Sequence, residues 1–130
     1  MAQLRVDGDA LVVRLAWWER AAARRREVRV PLATVTQVAV TTAWWRPLRG
    51  ARVSGTMVPG SLCLGIWRHA GGRDFVAIRH RHARVVFVEL RPPSPYTRIS
   101  VSGRHADRMA EAVRAAMGPA AAQAVGAAGP

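Results

Sequence analysis

Apolar and polar positions alternate with a period of two along most of this chain, and that period changes once, near the C-terminal end. Leu4-Arg5-Val6 and Leu11-Val12-Val13-Arg14-Leu15 flank Asp7-Gly8-Asp9. Asp-Gly between alternating runs predicts a hairpin, with Leu11, Val13 and Leu15 inward and Val12 and Arg14 outward. Residues 17–24 hold helix-favouring Ala, Glu and Arg over about two turns. A short helical connection and a continuing irregular strand both fit them, and Arg24-Arg25-Arg26 reads as an exposed charged turn. Val28-Arg29-Val30 resumes strand character, and Pro31, which cannot donate to a ladder, predicts an edge or a bend. Val35, Val38 and Val40 continue as a strand ending near Thr42.

From Ala43 to Gly60 neither period holds, which predicts a long loop and makes this segment the foremost site candidate. Residues 61–68, 72–79 and 84–90 are three runs rich in β-branched and aromatic side chains, separated by short polar connectors. Connectors that short predict an antiparallel meander of neighbouring strands at the centre of the fold. Arg91-Pro92-Pro93-Ser94-Pro95 is a rigid connector, followed by a strand over 97–102 with Ile99 and Val101 on one face. Then the period becomes helical. Ala106, Met109, Ala110, Val113, Ala116 and Met117 form the stripe of an amphipathic helix, with Met109, Val113 and Met117 expected to face the sheet. Gly118-Pro119 predicts its stop. The expected organisation is a single domain over 1–118 and a disordered Ala/Gly/Pro tail over 119–130.

Length and composition narrow the picture further. A chain of 130 residues, half of them hydrophobic, has room for one domain with its own core. The first residues break into charges before an apolar run forms, so no signal peptide is expected. No apolar stretch approaches the roughly 20 residues of a membrane-spanning helix. Cys63 is the sole cysteine, which leaves no intrachain disulfide. The expected location is cytoplasmic, with peripheral attachment to a membrane as an option. Charge is the loudest signal: 20 basic residues, all Arg, against 8 acidic ones give a formal net charge of +12. A GC-rich coding sequence explains Arg over Lys but not the excess, which favours an anionic partner.

Candidate chemistry is sparse. Glu19, Glu27, Asp74, Glu89, Asp107 and Glu111 form no paired motif, and there is no P-loop, nucleotide-binding glycine pattern or Gly-x-Ser-x-Gly. Cys63 lies in an apolar run, as a buried structural thiol does. The histidines read as exposed turn residues. His69 is remote from His80 and His82, and a metal held by His80, His82 and His105 is not expected. The expectation is no catalysis, no cofactor and no metal. Binding chemistry is better represented. Arg46, Arg49 and Arg52 recur directly after Trp44-Trp45, and Arg79, Arg81 and Arg84 gather with Arg104 at the helix-start end of the predicted meander. Guanidinium pairs bidentately with phosphate, and indole prefers the boundary between water and apolar matter. The same residues suit single-stranded nucleic acid, where aromatic rings stack on bases.

A run of strands closed by one amphipathic helix resembles the pleckstrin-homology-like (PH-like) fold, and more closely the small PH-like proteins of actinobacteria. The resemblance spans about residues 10–117. It rests on Val28-Arg29-Val30-Pro31 with Val35 and Val38, on Arg49-Gly50, Gly55-Thr56 and Pro59-Gly60, and on Gly65-Ile66-Trp67, Phe75, Val86-Phe87-Val88-Glu89-Leu90 and the terminal helix. It implies a mainly β fold: an antiparallel barrel or roll of about seven strands plugged by the helix. It also implies a non-enzymatic binding or adaptor module for a protein partner or an anionic lipid headgroup surface. A nucleic-acid-binding protein and a structural subunit of a larger assembly stand as alternatives. The helix lacks the Trp that many members carry there, and only Arg24-Arg25-Arg26 and Arg29 match the basic lipid motif between the first strands.

Overall fold

The computed structural model describes residues 2–15, 27–58, 61–79 and 84–128, with side chains described as far as Met117. The expectations for residues 17–26, and for His80, Arg81 and His82, lie outside the described residues. Among the described residues the chain is mainly β, with nine strands in two sheets and one long helix.

The first sheet is three-stranded. β1 (Gln3–Asp7) and β2 (Ala10–Arg14) pair antiparallel from Gln3↔Arg14 to Asp7↔Ala10, closing on the two-residue loop Gly8-Asp9 as the Asp-Gly signal predicts. β3 (Glu27–Pro31) adds to β2, ending at Pro31↔Ala10. Pro31 stands where a missing donor costs least, as the last residue of an edge strand, and a 3-10 turn (Leu32–Thr34) follows at once.

The second sheet has six strands: β4 (Val35–Thr41), β5 (Ala51–Val58), β6 (Leu62–His69), β7 (Gly72–Arg79), β8 (Val85–Leu90) and β9 (Arg98–Ser102), in the spatial order β4-β8-β9-β7-β6-β5. Two expectations are corrected here. β7 and β8 are antiparallel but not neighbours: β9 lies between them, parallel to β7 and antiparallel to β8. β7 and β8 thus lie two strand spacings apart, about 10 Å, well within the roughly 16 Å that five residues can reach. The sheets also do not close into a seven-stranded barrel. Closure would need β4 beside β5, yet these are the opposite edges of the sheet. Residues 42–50 carry the chain across one face between them, about 24 Å for five strand intervals.

The main core lies between the two sheets. Leu4, Leu11, Val13, Val28 and Val30 meet Leu64, Phe75, Val86, Val88, Ile99 and Val101 there, all buried. The helix α1 (Ala106–Ala128) closes the open side against β4, β1 and β8. Ala106, Ala110 and Val113 are buried in the core, and Met109 and Met117 pack on it, the face that the helical period predicts. The Leu4 amide donates to Met109 Sδ at 3.2 Å. The helix continues through Gly118 and Pro119, where a stop was expected. The opposite face of the six-stranded sheet holds a second cluster, Cys63, Trp67, Val76, Ile78 and Val85, and this is the face that residues 42–50 cover.

Candidate functional site: the crossing segment and the β5 edge

The crossing is held by apolar contact at its start and by charge at its end. Arg46 N–H donates to Ala43 O at 3.0 Å and Leu48 N–H to Trp45 O at 3.1 Å, which coils the segment into a turn. Trp44 and Leu48 face the sheet and pack on the second cluster. Trp45 stands edge-on to Trp44, with ring centroids 5.8 Å apart, and is 59% exposed. Pro47 O accepts from the Arg98 guanidinium at 3.0 Å. Arg98 also lies over the Phe87 ring and is ion-paired to Glu89.

Arg49 turns inward. Its Nε donates to Asp74 Oδ2 at 2.6 Å, and its Nη2 donates to Asp74 Oδ1 at 3.1 Å and to Thr97 Oγ1 at 3.2 Å. Thr97 Oγ1 donates to Asp74 Oδ1 at 2.7 Å, and His69 Nε2 lies 2.9 Å from the same oxygen. Gly71 N–H donates to His69 Nδ1 at 3.0 Å, so Nδ1 is the acceptor and Nε2 carries the proton toward Asp74. The Asp74 side chain is 1% exposed. Burial pushes its carboxyl up, but hydrogen bonds from Arg49, Thr97 and His69 outweigh burial and hold it below its ordinary value. The same Asp74 contact raises the Arg49 guanidinium above its ordinary value. Three donors meet Oδ1 and one meets Oδ2, which fixes the carboxylate in place in its charged form. The cluster is a latch that fastens the crossing segment to β7 and to the start of β9.

The expected binding constellation is therefore divided. Arg46 and Arg52 are exposed, with Trp45 beside the first. Arg49 belongs to the latch and Trp44 to the packed face. Arg79 is half-buried, its backbone N–H donating to Ser102 Oγ at 2.7 Å, and Arg84 pairs with Asp107 at 3.1 Å in the first turn of α1. The backbone does bring Arg79, Arg84 and Arg104 to the C-terminal end of β9, where Gly103 N–H donates to Arg84 O at 3.2 Å. His69, read as an exposed turn residue, is instead a latch member with a side chain 13% exposed, because pairing with β7 sets it opposite Gly72, next to Asp74. Cys63 is fully buried, and burial raises its thiol above the ordinary value against the opposing charge of Arg52. Among the described residues no group of three or more His, Cys, Asp or Glu is arranged to hold a metal ion.

The predicted loop over 43–60 is corrected in its second half, which is the edge strand β5. β5 departs from alternation because its register shifts between Arg52 and Ser54 and because Gly55 faces Gly65. Both glycines have positive φ, 99° and 136°, and a Cβ on either would come within 2.0–2.1 Å of a backbone carbonyl oxygen of the other strand. Only two glycines let the backbones approach that closely. β5 also carries what residue-by-residue reading missed: Val53, Met57 and Val58, exposed by 53, 43 and 46%. With Trp45 these are all the exposed large hydrophobics among the described residues. At the Ala51 end of β5, Arg68 and Arg73 are directly opposed across β6 and β7, both exposed and, among the described residues, with no ion pair. One signal was available in the sequence: between Glu27 and Asp74 the chain has no carboxylate at all.

No protein-family model, no curated protein and no solved structure matches the chain. Among the described residues no helix is long and apolar enough to cross a membrane. The class that fold and site define is a two-sheet, mainly β protein with a C-terminal helix and a basic, partly apolar sheet edge.

Proposed function

We propose that this chain is a non-catalytic binding module that engages an anionic protein partner through Trp45, Arg46, Arg52 and the outer surface of β5. One observation carries the reading: the exposed large hydrophobics coincide with exposed arginines in a stretch of chain that has no carboxylate. Apolar surface grouped in this way marks interaction sites more often than scattered exposed residues do. Like charges set opposite each other, as Arg68 and Arg73 are, disfavour the free protein and are relieved by an anionic ligand. The resemblance to PH-like modules supports a binding role as well.

Titration with polyglutamate, anionic phosphatidylserine vesicles and single-stranded DNA over a salt series tests this. Wild type should bind polyglutamate at low salt, and the Trp45→Ala/Arg46→Ala/Arg52→Ala variant should bind at least about tenfold more weakly with unchanged thermal unfolding. A wild type that binds none of the three, or a variant that binds as well as wild type, sinks the reading. Preference for vesicles would assign the surface to a membrane. Preference for DNA, with a steep log–log salt slope, would assign it to nucleic acid.

A further inference from the structure

We infer that the partner segment is an extended acidic and apolar peptide that adds as a strand to the free edge of β5. This inference rests on the binding reading above and names the mode. β5 ends the six-stranded sheet, and among the described residues it pairs with β6 alone. The opposite edge, β4, is covered: α1 packs along it, and Arg114 Nη2 donates to Val38 O at 3.2 Å. The edge strand β3 is guarded differently, by Pro31 and by Arg29 paired with Asp7 at 3.0 Å. Among the described residues no other element covers β5, where Arg52 Nη1 donates to Gly55 O at 2.8 Å, and the strand carries no carboxylate; at eight residues it is long enough for an extended peptide to pair along it.

Charge selects the occupant. A second copy of this chain pairing edge to edge through β5 would bring two sets of Arg46, Arg52 and Arg68 together with no carboxylate between them, which is repulsive. A strand alternating acidic and apolar residues meets both features of the edge. Its carboxylates, all on one face, reach Arg52, which lies opposite Trp67 and so projects on that face of the sheet. Its apolar side chains, on the other face, cover Val58, which lies opposite Leu62. Backbone hydrogen bonds supply the pairing and alternate side chains the selectivity.

A terminally blocked octapeptide of alternating glutamate and valine is the probe, with the same peptide N-methylated at every second residue as control. The control keeps charge and side chains but removes the backbone donors of one edge. The plain peptide should bind wild type at least about tenfold more tightly than the control and slow amide exchange within Ala51–Val58 by at least about tenfold. Val58→Glu, at an exposed position, should weaken it by at least about tenfold with unchanged thermal unfolding. Equal binding of both peptides without exchange protection overturns strand addition. If Arg46→Ala/Arg52→Ala then weakens both, the basic-surface reading still stands. Vesicle or DNA binding that depends on those arginines, with no peptide binding, also overturns strand addition. If no probe binds, both readings fall.

Discussion

At the residue scale, Asp74 is the most committed group in the described chain. Removing its carboxylate leaves Arg49, His69 and Thr97 without their shared acceptor around a buried position. Asp74→Ala should cost about 2–4 kcal/mol in urea unfolding, since breaking a buried pair leaves uncompensated polar groups. The pH dependence has a definite sign. The folded carboxyl lies below its ordinary value and the unfolded one near about 4, so its contribution is complete above about pH 4 and is lost as pH falls through the lower folded value. Asp74→Asn should therefore be less stable at neutral pH and show a shallower loss of stability on acidification than wild type. Equal acid slopes for the two proteins would mean that Asp74 is not held in its charged form. Gly55 acts through geometry instead. Gly55→Ala places a Cβ 2.0 Å from Leu64 O at a φ of 99°, so the β5–β6 ladder must shift. A loss of at least about 2 kcal/mol is expected, with exchange faster in β5 than in β7.

At the element scale, α1 and the crossing segment cover opposite faces of one sheet by different means. The helix covers its face with a stripe of buried alanines and Val113, so its attachment is apolar. Val113→Asp would bury an unpaired charge and should unfold the domain or destabilise it by more than about 3 kcal/mol. Val113→Ala should cost about 1–2 kcal/mol and keep the fold. An unchanged melting curve for the aspartate variant would show the helix to be undocked. The crossing segment combines the Trp44 and Leu48 contacts with the Arg49 latch. The latch was not legible in the sequence because its members, Arg49, His69, Asp74 and Thr97, share no motif and come from different elements. The helix stripe was legible because its residues recur at a local spacing that one face of a helix collects on its own.

At the scale of the whole molecule, the central strand β9 pairs with β7 in parallel, Asp74 with Arg98 and Ala77 with Val101, after the chain has already built β8. Non-local pairing of this kind requires loop closure before it is rewarded. Refolding should therefore fall in the millisecond-to-second range, and a stopped-flow trace complete within microseconds would contradict the topology. Most strands and the helix were legible in the sequence, because alternation and the 3.6-residue period are set by local geometry. So were the hairpin at Gly8 and the strand end at Pro31, where one residue type dictates the backbone. The sequence also determined the +12 charge, the burial of Cys63 within an apolar run and the absence of carboxylates from Glu27 to Asp74. Only the tertiary structure decided which strands are neighbours, since a five-residue connector reaches the next strand or the one beyond equally well. It alone showed that β5 is a strand, because Gly55 and Gly65 reveal their use only when two backbones meet. It alone divided the arginines, turning Arg49 onto a buried carboxylate, leaving Arg46 exposed and setting the exposed Arg52 against the Gly55 carbonyl. Pattern along a chain reports which side chains share a face, whereas the partner each charge finds depends on segments distant in sequence.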